Sequence, residues 1–235
     1  MSSRYQRTPR IRLKKTVVGG SAAAVLMPAT LRAGAVSQSI SKPSRNWPQT
    51  LNCMPRYVVL LRGVNLAKRN RVSMPGLRSA LEAEGFRDVS TYVQSGNVVL
   101  TSRASQERIS RDVRALINKR FGLDIAVLVR SHNELSEIVR RNPLSRDASD
   151  PKHYLVTFMS RKVPAELVER IRAAADAEEK FTVIGREVFS WHPAGVGRSP
   201  LWERLGSKVA GIDATSRNWA TVTTLLEMAK PTTGR

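Results

Sequence analysis

The sequence predicts an α+β protein with two tandem ferredoxin-like (βαββαβ) units that follow a disordered N-terminal extension. Between residues 56 and 129, strand and helix patterns alternate in the order β-α-β-β-α-β, and the same order returns after residue 153. Residues 1–53, in contrast, show no sustained helical or alternating apolar period and are rich in Ser, Thr, Gly, Ala and Pro. Such a segment cannot bury enough apolar surface to offset the entropy of ordering it.

The extension also carries nearly half of the net charge. The 235-residue chain has 39 Lys and Arg against 19 Asp and Glu, a net charge of +20, and nine of the basic residues but none of the acidic ones lie in residues 1–53. The rest of the chain therefore has an ordinary globular composition with a basic excess. No apolar run reaches the about 18 residues of a membrane-spanning helix, so no membrane is predicted as a partner.

Three interpretations of the extension stay open. A folded protein that begins near Met54 would make the upstream residues a leader or a mis-assigned start. Alternatively, the basic segment Arg10–Lys15, the apolar stretch after it and the small residues 33–35 are typical of a secretory signal, so that residues 1–35 would direct export. The third interpretation is a functional basic arm. The single cysteine, Cys53, favours a reducing compartment, which predicts a cytoplasmic location.

The first unit is predicted over residues 54–142. An apolar run forms the first strand, and Ser73 can cap a helix that ends at Gly85. A short Gly/Asn connection predicts a hairpin, and a second helix stops at Gly122. Ser131 and Glu134 form a capping box that opens a connecting helix. The predicted strands are residues 57–61, 89–94, 98–101 and 125–129.

A linker is predicted over residues 143–152, which hold two prolines, two serines and several charges. The second α+β domain then covers residues 153–230, with residues 231–235 as a tail. Its helices begin at Pro164, after Ser199 and near Thr215. Its predicted strands are residues 154–159, 181–184, 187–191 and 209–212.

The motifs that usually mark a cofactor or a metal are missing from the sequence. His132, His153 and His192 are not spaced as metal ligands, and the chain has no Walker A motif and no G-x-S-x-G sequence. Glu178 and Glu179 are interpreted as part of a solvated helix end. The sequence therefore predicts neither a metal nor a cofactor, and it leaves open whether the protein is an enzyme.

Loops that combine Arg with Gly, Ser and Asn are the candidate binding elements. They cover residues 62–65, 94–97, 195–199 and 215–218, and two of them are predicted to open helices. A helix N-terminus favours anions, and an Arg side chain matches phosphate or carboxylate oxygens. The alternative is that these residues only form turns and caps. The candidate ligand-binding residues are Arg62, Gly63, Asn65, Gln94, Ser95, Asn97, Arg198, Ser199, Arg217 and Asn218.

The same loops carry a family resemblance. The run 57–65 (YVVLLRGVN), Met74, the run 89–99 (VSTYVQSGNVV), and the later blocks 185–189, 197–199 and 215–219 resemble the family known as domain of unknown function 1697. The resemblance implies a bacterial-type protein with tandem ferredoxin-like domains and marks the candidate polar positions, with Gly96, as recurring ones, but it implies no activity. Where the family usually has a Gly-Gly pair, this chain has Ala67-Lys68, which would alter a pocket that needs close backbone approach.

Three functions follow as hypotheses. The leading one is binding of a phosphorylated or other small anionic ligand, with nucleic acid as a weaker possibility because the third strand lacks stacking aromatics. The second is a cofactor-independent enzyme acting on a small anionic substrate, for which Ser95 is the only candidate hydroxyl. The third is a structural or regulatory protein in which the loops join the two domains and Trp219 is buried between them. The sequence does not define an oligomeric state.

Overall fold

The computed structural model describes residues 54–66, 70–206 and 211–231 of the chain. All of these residues belong to one compact unit. The predicted extension, the Ala67-Lys68 pair and residues 232–235 lie outside the described residues. Within the described part, no helix has the length and apolar character needed to cross a bilayer.

Eight strands and six helices make up the described part of the chain. The strands are β1 (Arg56–Leu61), β2 (Arg87–Tyr92), β3 (Asn97–Thr101), β4 (Val127–Ser131), β5 (Tyr154–Met159), β6 (Lys180–Ile184), β7 (Glu187–Trp191) and β8 (Ala214–Asn218). The helices are α1 (Met74–Ala83), α2 (Gln106–Phe121), α3 (His132–Arg141), α4 (Ala165–Ala174), α5 (Pro200–Gly206) and α6 (Trp219–Met228), with a 3₁₀ turn at Val196–Arg198. The prediction of a mixed α and β fold is confirmed at this level.

The strands form two antiparallel four-stranded sheets with matching orders. The first sheet has the order β2-β3-β1-β4 and the second has the order β6-β7-β5-β8. A ten-residue helix follows the last strand of each sheet directly, α3 after β4 and α6 after β8. We call the residues from β1 to α3 the first half and those from β5 to α6 the second half.

Helix ends form where side chains or glycines satisfy the free backbone groups. Ser73 Oγ accepts a hydrogen bond from the backbone N–H of Gly76 and so caps α1. Ser131 and Glu134 form the predicted capping box at the start of α3. Gly122, with a φ of 66°, takes the left-handed conformation that ends α2. These predicted boundaries are confirmed.

Two predicted boundaries in the first half are wrong. The hairpin turn covers residues 93–96, so Asn97 is the first residue of β3 and is fully buried. The fourth strand lies two residues later than predicted, because residues 127–131 rather than 125–129 pair with β1. This shift places Arg130 inside the sheet, opposite Val58.

The end of the second half differs more strongly from the prediction. Residues 209 and 210 of the predicted last strand lie outside the described residues, and the strand that pairs with β5 is β8. The final helix begins at Trp219 rather than near Thr215, because residues 214–218 are held in the ladder with β5 and Asn218 caps α6. Arg217 therefore lies on a strand and not at a helix N-terminus.

The core consists of three apolar clusters. The outer face of the first sheet packs against α1 and α2, and the outer face of the second sheet packs against α4 and α5. Between them, a central cluster joins the inner faces of both sheets with α3 and α6, and Val58 and Val156 are among its members. Because burial of apolar surface is the main favourable term in folding, this shared cluster holds the two halves together.

Candidate functional site

Arg217 on β8 lies at the centre of the residues that the sequence singled out. Its side chain is buried, and it extends from the second half into the first. Nη1 donates to Thr215 Oγ1 and to the carbonyl oxygen of Ser216, both at 2.8 Å. The acceptors in the first half are the carbonyl oxygens of Leu61, Ser95 and Gly96, at 2.9, 3.0 and 3.2 Å from Nη2, and the side-chain oxygen of Asn97, which accepts from Nε.

This arrangement uses all five N–H groups of the Arg217 guanidinium. No donor of Arg217 is therefore left to bind a ligand directly. Burial lowers the pKa of Arg217 to about 10, because the charged form loses its water, but the group still carries its charge at neutral pH. Arg217 thus brings a buried positive charge to the junction of the two halves.

The loop that contains Arg62 and the turn 93–96 are also joined directly. Asn65, with a left-handed φ of 55°, donates from Nδ2 to the carbonyl oxygens of Gln94 and Val72, at 2.7 and 3.0 Å. Its Oδ1 accepts the backbone N–H of Val72 at 2.9 Å. Asn70 Nδ2 donates to the carbonyl oxygen of Gly63. Asn65 therefore fixes the distance between the loop and the turn.

Gly96 allows the turn to approach β1 closely. Its φ is 75°, and a Cβ at this position would collide with Val64 Cγ2 and would lie 2.7 Å from Leu61 Cβ. The backbone N–H of Leu61 donates to the carbonyl oxygen of Gly96 at 2.9 Å. A side chain at residue 96 would push the turn away from Arg217. We call residues 61–65, 93–97 and 213–217 the loop cluster.

Three residues present polar groups at the surface of the loop cluster. The side chain of Arg62 is 29% exposed, and its Nη1 lies 3.8 Å from Asp213 Oδ1. Gln94 and Ser95 are exposed in the turn. Beside them, Val93 is 53% exposed and has a φ of 48°, a conformation that a β-branched residue rarely adopts. Backbone strain of this kind is often found at functional sites.

The structure separates two other predicted residues, Arg198 and Ser199, from the loop cluster. Ser199 Oγ accepts the backbone N–H of Trp202 at 2.8 Å and so caps α5. The exposed Arg198 borders a cavity of about 270 Å³ whose other charged residues are Asp176, Glu178 and Glu179. Three carboxylates against one guanidinium oppose anion binding in this cavity. Asn218 likewise has a capping role, since its Oδ1 accepts the backbone N–H of Thr221.

A buried histidine network lies beside this cavity, and sequence reasoning missed it. His192 is 1% exposed; its Nε2 lies 2.8 Å from Ser190 Oγ, and its Nδ1 lies 2.7 Å from Ser199 Oγ and 3.1 Å from Glu179 Oε1. Burial lowers the pKa of His192, although the neighbouring carboxylate acts in the opposite direction. The imidazole is therefore neutral near pH 7 and links β7 to the start of α5.

The prediction that Glu179 belongs to a solvated helix end is wrong. Residues 175–179 are not helical, and the Glu179 side chain is 6% exposed. Burial raises its pKa, but hydrogen bonds from Ser199, from the Asp176 backbone and from His192 outweigh this effect and leave the pKa lowered. Glu179 is thus a buried carboxylate that holds two loops together.

Arg130 on β4 is the counterpart of Arg217, and it too was missed. Each arginine lies opposite the third residue of the first strand of its own sheet, Val58 or Val156. Each donates from Nη2 to the carbonyl oxygen of the last residue of the other half's first strand, which is Met159 for Arg130, at 2.8 Å. Each also donates from Nη1 to the carbonyl oxygen of the preceding residue.

The two arginines differ in the side chain that meets Nε. Arg130 Nε donates to Glu187 Oε1 at 2.9 Å, and the charges compensate each other. Arg217 Nε donates to the neutral amide of Asn97, which is the first residue of β3 just as Glu187 is the first residue of β7. Among the described residues, none of the hydrogen-bond acceptors of Arg217 is a carboxylate. The buried charge of Arg217 is therefore uncompensated by its direct partners.

Over the described ranges, no group of three or more His, Cys, Asp or Glu side chains is placed to hold a metal ion.

Comparison with known proteins gives a family and a fold. A family model for proteins of unknown function (DUF1697) matches residues 54–189. The chain is similar to the solved structure of the conserved bacterial protein SP0830 from Streptococcus pneumoniae, with a TM-score of 0.62 and 20% sequence identity, over 75% of this chain and 99% of that chain. At this identity the likeness concerns the fold alone. No curated protein matches the chain at a significant level.

Proposed function

Because the chain belongs to the DUF1697 family of proteins of unknown function, as its motifs predicted, we propose a function from the geometry of the loop cluster. The function is binding of a small phosphorylated or otherwise anionic ligand. The ligand contacts Arg62 and the polar groups of the turn 93–96. The positive charge of Arg217, buried beneath this turn, attracts it. The proposed location is the cytoplasm, in keeping with a single cysteine.

We also propose that the two halves are tandem ferredoxin-like units, residues 54–142 and 153–230, joined by the linker 143–152. Support comes from the shared strand order and from the helices that follow the first and third strands of each sheet. In this arrangement the loop cluster lies where the two units meet, which is a preferred place for ligand sites.

The uncompensated charge of Arg217 carries the functional proposal. A buried charge without a counter-charge destabilises a fold, and Glu187 shows what compensates Arg130 at the equivalent position. With Asn97 in that place, the charged groups of the loop cluster are two guanidinium groups, Arg62 and Arg217, and one carboxylate, Asp213, a net charge of one positive. An anion bound there supplies the missing negative charge.

The burial of β3 favours a small ligand over nucleic acid. RNA-binding sheets of this strand order stack bases on an exposed face of their central strands. All five residues of β3 are buried, since helices cover the outer face and the central cluster covers the inner face. The remaining surface of the loop cluster is the short turn and the Arg62 loop, which suits a compact anion.

The geometry gives less support to an enzyme. Ser95 Oγ accepts from Asn97 Nδ2 at 2.9 Å, and the described partners of Ser95 include no general base. Ser199 is close to His192, but its hydroxyl is buried and accepts the Trp202 backbone N–H, so it acts as a helix cap. The structural alternative accounts for Arg217, whose donors are all used, and for Arg62, which faces Asp213, but it assigns no role to the exposed Gln94.

Pyrophosphate binding to the full chain tests the proposal. Calorimetric titrations of the wild type, of Arg62→Gln and of Arg198→Gln are compared. Arg198→Gln is the control, because it removes an equal charge from an exposed arginine that lies outside the loop cluster. The basic extension is present in all three proteins, so its nonspecific contribution cancels. We expect Arg62→Gln to weaken binding at least fivefold and Arg198→Gln to leave it unchanged. Equal weakening by both substitutions, or no binding at all, would overturn the proposal.

A further inference from the structure

The repeated arrangement of the halves places α3 beside the β6–β7 hairpin and α6 beside β3 of the β2–β3 hairpin. We call these two equivalent places grooves. Tyr92 and Ile184 occupy equivalent positions, because each is the last residue of its strand and pairs with the first residue of the next one. Arg141 and Met228 are each the tenth residue of their helices.

The groove beside α3 contains a cavity of about 450 Å³. This volume falls within the range of small-molecule sites. Ile138, Ile184 and Phe189 are its apolar side chains, and most of its accessible surface is apolar although six of its ten lining residues are polar or charged. Asn133, Glu137 and Arg141 follow one another along α3 at its edge. The cavity is separate from the loop cluster and shares no lining residue with it.

Tyr92 and Met228 in the other groove are larger or less polar than their equivalents, whereas Val99 is smaller than its equivalent, Phe189. Tyr92 packs against the central cluster from the position that Ile184 takes in the open groove. Met228 also packs against this cluster, whereas its counterpart Arg141 donates to Glu137 Oε1 instead. The open groove therefore lacks the phenol ring of Tyr92 and the thioether of Met228, although it has the ring of Phe189 at the position of Val99.

The charged groups around the cavity already have partners. Glu134 accepts from Arg186 at 2.6 Å, and Glu187 accepts from Arg130 at 2.9 Å. Glu137 accepts from Arg140 and Arg141, and these hydrogen bonds lower the pKa of Glu137 to about 2. Because each of these carboxylates is already paired with a guanidinium, the rim offers little net attraction to a charged ligand. An uncharged ligand does not depend on such an attraction.

We propose that the groove between α3 and the β6–β7 hairpin binds an uncharged planar aromatic or heteroaromatic group. The ring lies against the partly exposed Ile184, whose side chain is smaller than that of the equivalent Tyr92. Polar substituents at the edge of the ligand ring contact Asn133 and the ion pairs of Glu134 and Glu137 at the rim of the groove. This site is independent of the anion site proposed above.

Two neutral probes test the proposal with the full chain. Binding of indole and of p-cresol, which is the tyrosine side chain without its backbone, is followed by saturation-transfer NMR and by backbone amide shifts. In the wild type we expect both probes to bind and to shift residues 133–141 and 184–189. Ile184→Tyr, which puts the ring of Tyr92 into the open groove, should weaken binding at least tenfold without lowering the melting temperature.

A matched change in the other groove completes the test. Tyr92→Ile removes the ring there and should leave binding in the α3 groove unchanged. The wild-type shift map does not depend on either variant, so a variant that fails to fold does not affect it. No probe binding to the wild type, shifts confined to other regions, or full binding by folded Ile184→Tyr would overturn the proposal.

Discussion

Arg130 and Arg217 occupy equivalent positions in the two sheets, and each donates hydrogen bonds to the opposite half of the chain. Arg130 donates to the carbonyl oxygen of the last residue of β5 and to the side chain of the first residue of β7. Arg217 donates to the carbonyl oxygen of the last residue of β1 and to the side chain of the first residue of β3. Each arginine also directly precedes the residue that caps the following helix, Ser131 or Asn218. The two halves thus share this contact as well as their element order.

Arg217→Ala should lower the free energy of unfolding by at least about 3 kcal/mol, because it leaves several buried carbonyl and amide oxygens without donors. Urea unfolding of the full chain measures the change. The control is Arg78→Ala, which removes an exposed arginine on α1 and should cost less than about 1 kcal/mol. A loss as small for Arg217→Ala as for this control would show that the contacts of Arg217 do not hold the halves together.

Arg130→Ala should destabilise the protein by about 3–5 kcal/mol, because it leaves the partly buried carboxylate of Glu187 without its partner and the carbonyl oxygens of Val129 and Met159 without a donor. The double variant Arg130→Met with Glu187→Leu removes both charges and should regain a large part of this loss. Denaturant unfolding of the single and double variants measures the coupling. If the double variant were less stable than Arg130→Ala alone, the unpaired carboxylate would not be the cause of the loss.

The melting temperature should fall as the pH is lowered from 7 to 5. Burial lowers the pKa of His192 below its ordinary value of 6.5, so the unfolded chain takes up a proton more readily than the folded one. The stabilisation is complete above about pH 6.5 and is lost as the pH falls through the lower folded pKa. Glu179, whose pKa is also lowered, adds a further loss below about pH 4.5.

His192→Gln separates these two effects. Its melting temperature should change less between pH 7 and pH 5 than that of the wild type, whereas the loss at more acidic pH should remain. Differential scanning calorimetry at several pH values measures both proteins. An unchanged slope between pH 7 and pH 5 in His192→Gln would assign the pH dependence to another group.

Local signals in the sequence were sufficient for most elements of the fold. Ser73, Gly122 and the Ser131–Glu134 box act within a few residues of themselves, so their roles could be predicted from spacing alone. The last strand could not be predicted in this way. Residues 214–218 are mostly polar, and only their pairing with β5, more than fifty residues away in the chain, makes them a strand.

The site was predicted in part, for a similar reason. The family motifs drew attention to Arg62, Asn65, the turn 94–97 and Arg217, which the structure brings together. The motifs did not indicate that the N–H groups of Arg217 would donate mainly to backbone carbonyl oxygens. The role of Arg130 could have been inferred from the sequence, because it is the one charged residue in β4, whose other residues are mainly buried and apolar. The predicted strand ended one residue before it.

The contacts that Arg130 and Arg217 make with the opposite halves affect how the protein unfolds. Separation of the two sheets would strip Arg130 of its acceptors in the second half and Arg217 of its acceptors in the first, and it would expose the central cluster in the same event. A partial separation of the sheets gains little conformational entropy and leaves the guanidinium groups of Arg130 and Arg217 in apolar surroundings without their acceptors. The halves should therefore melt in one cooperative transition, with a single calorimetric peak, although the strand order of the fold is repeated.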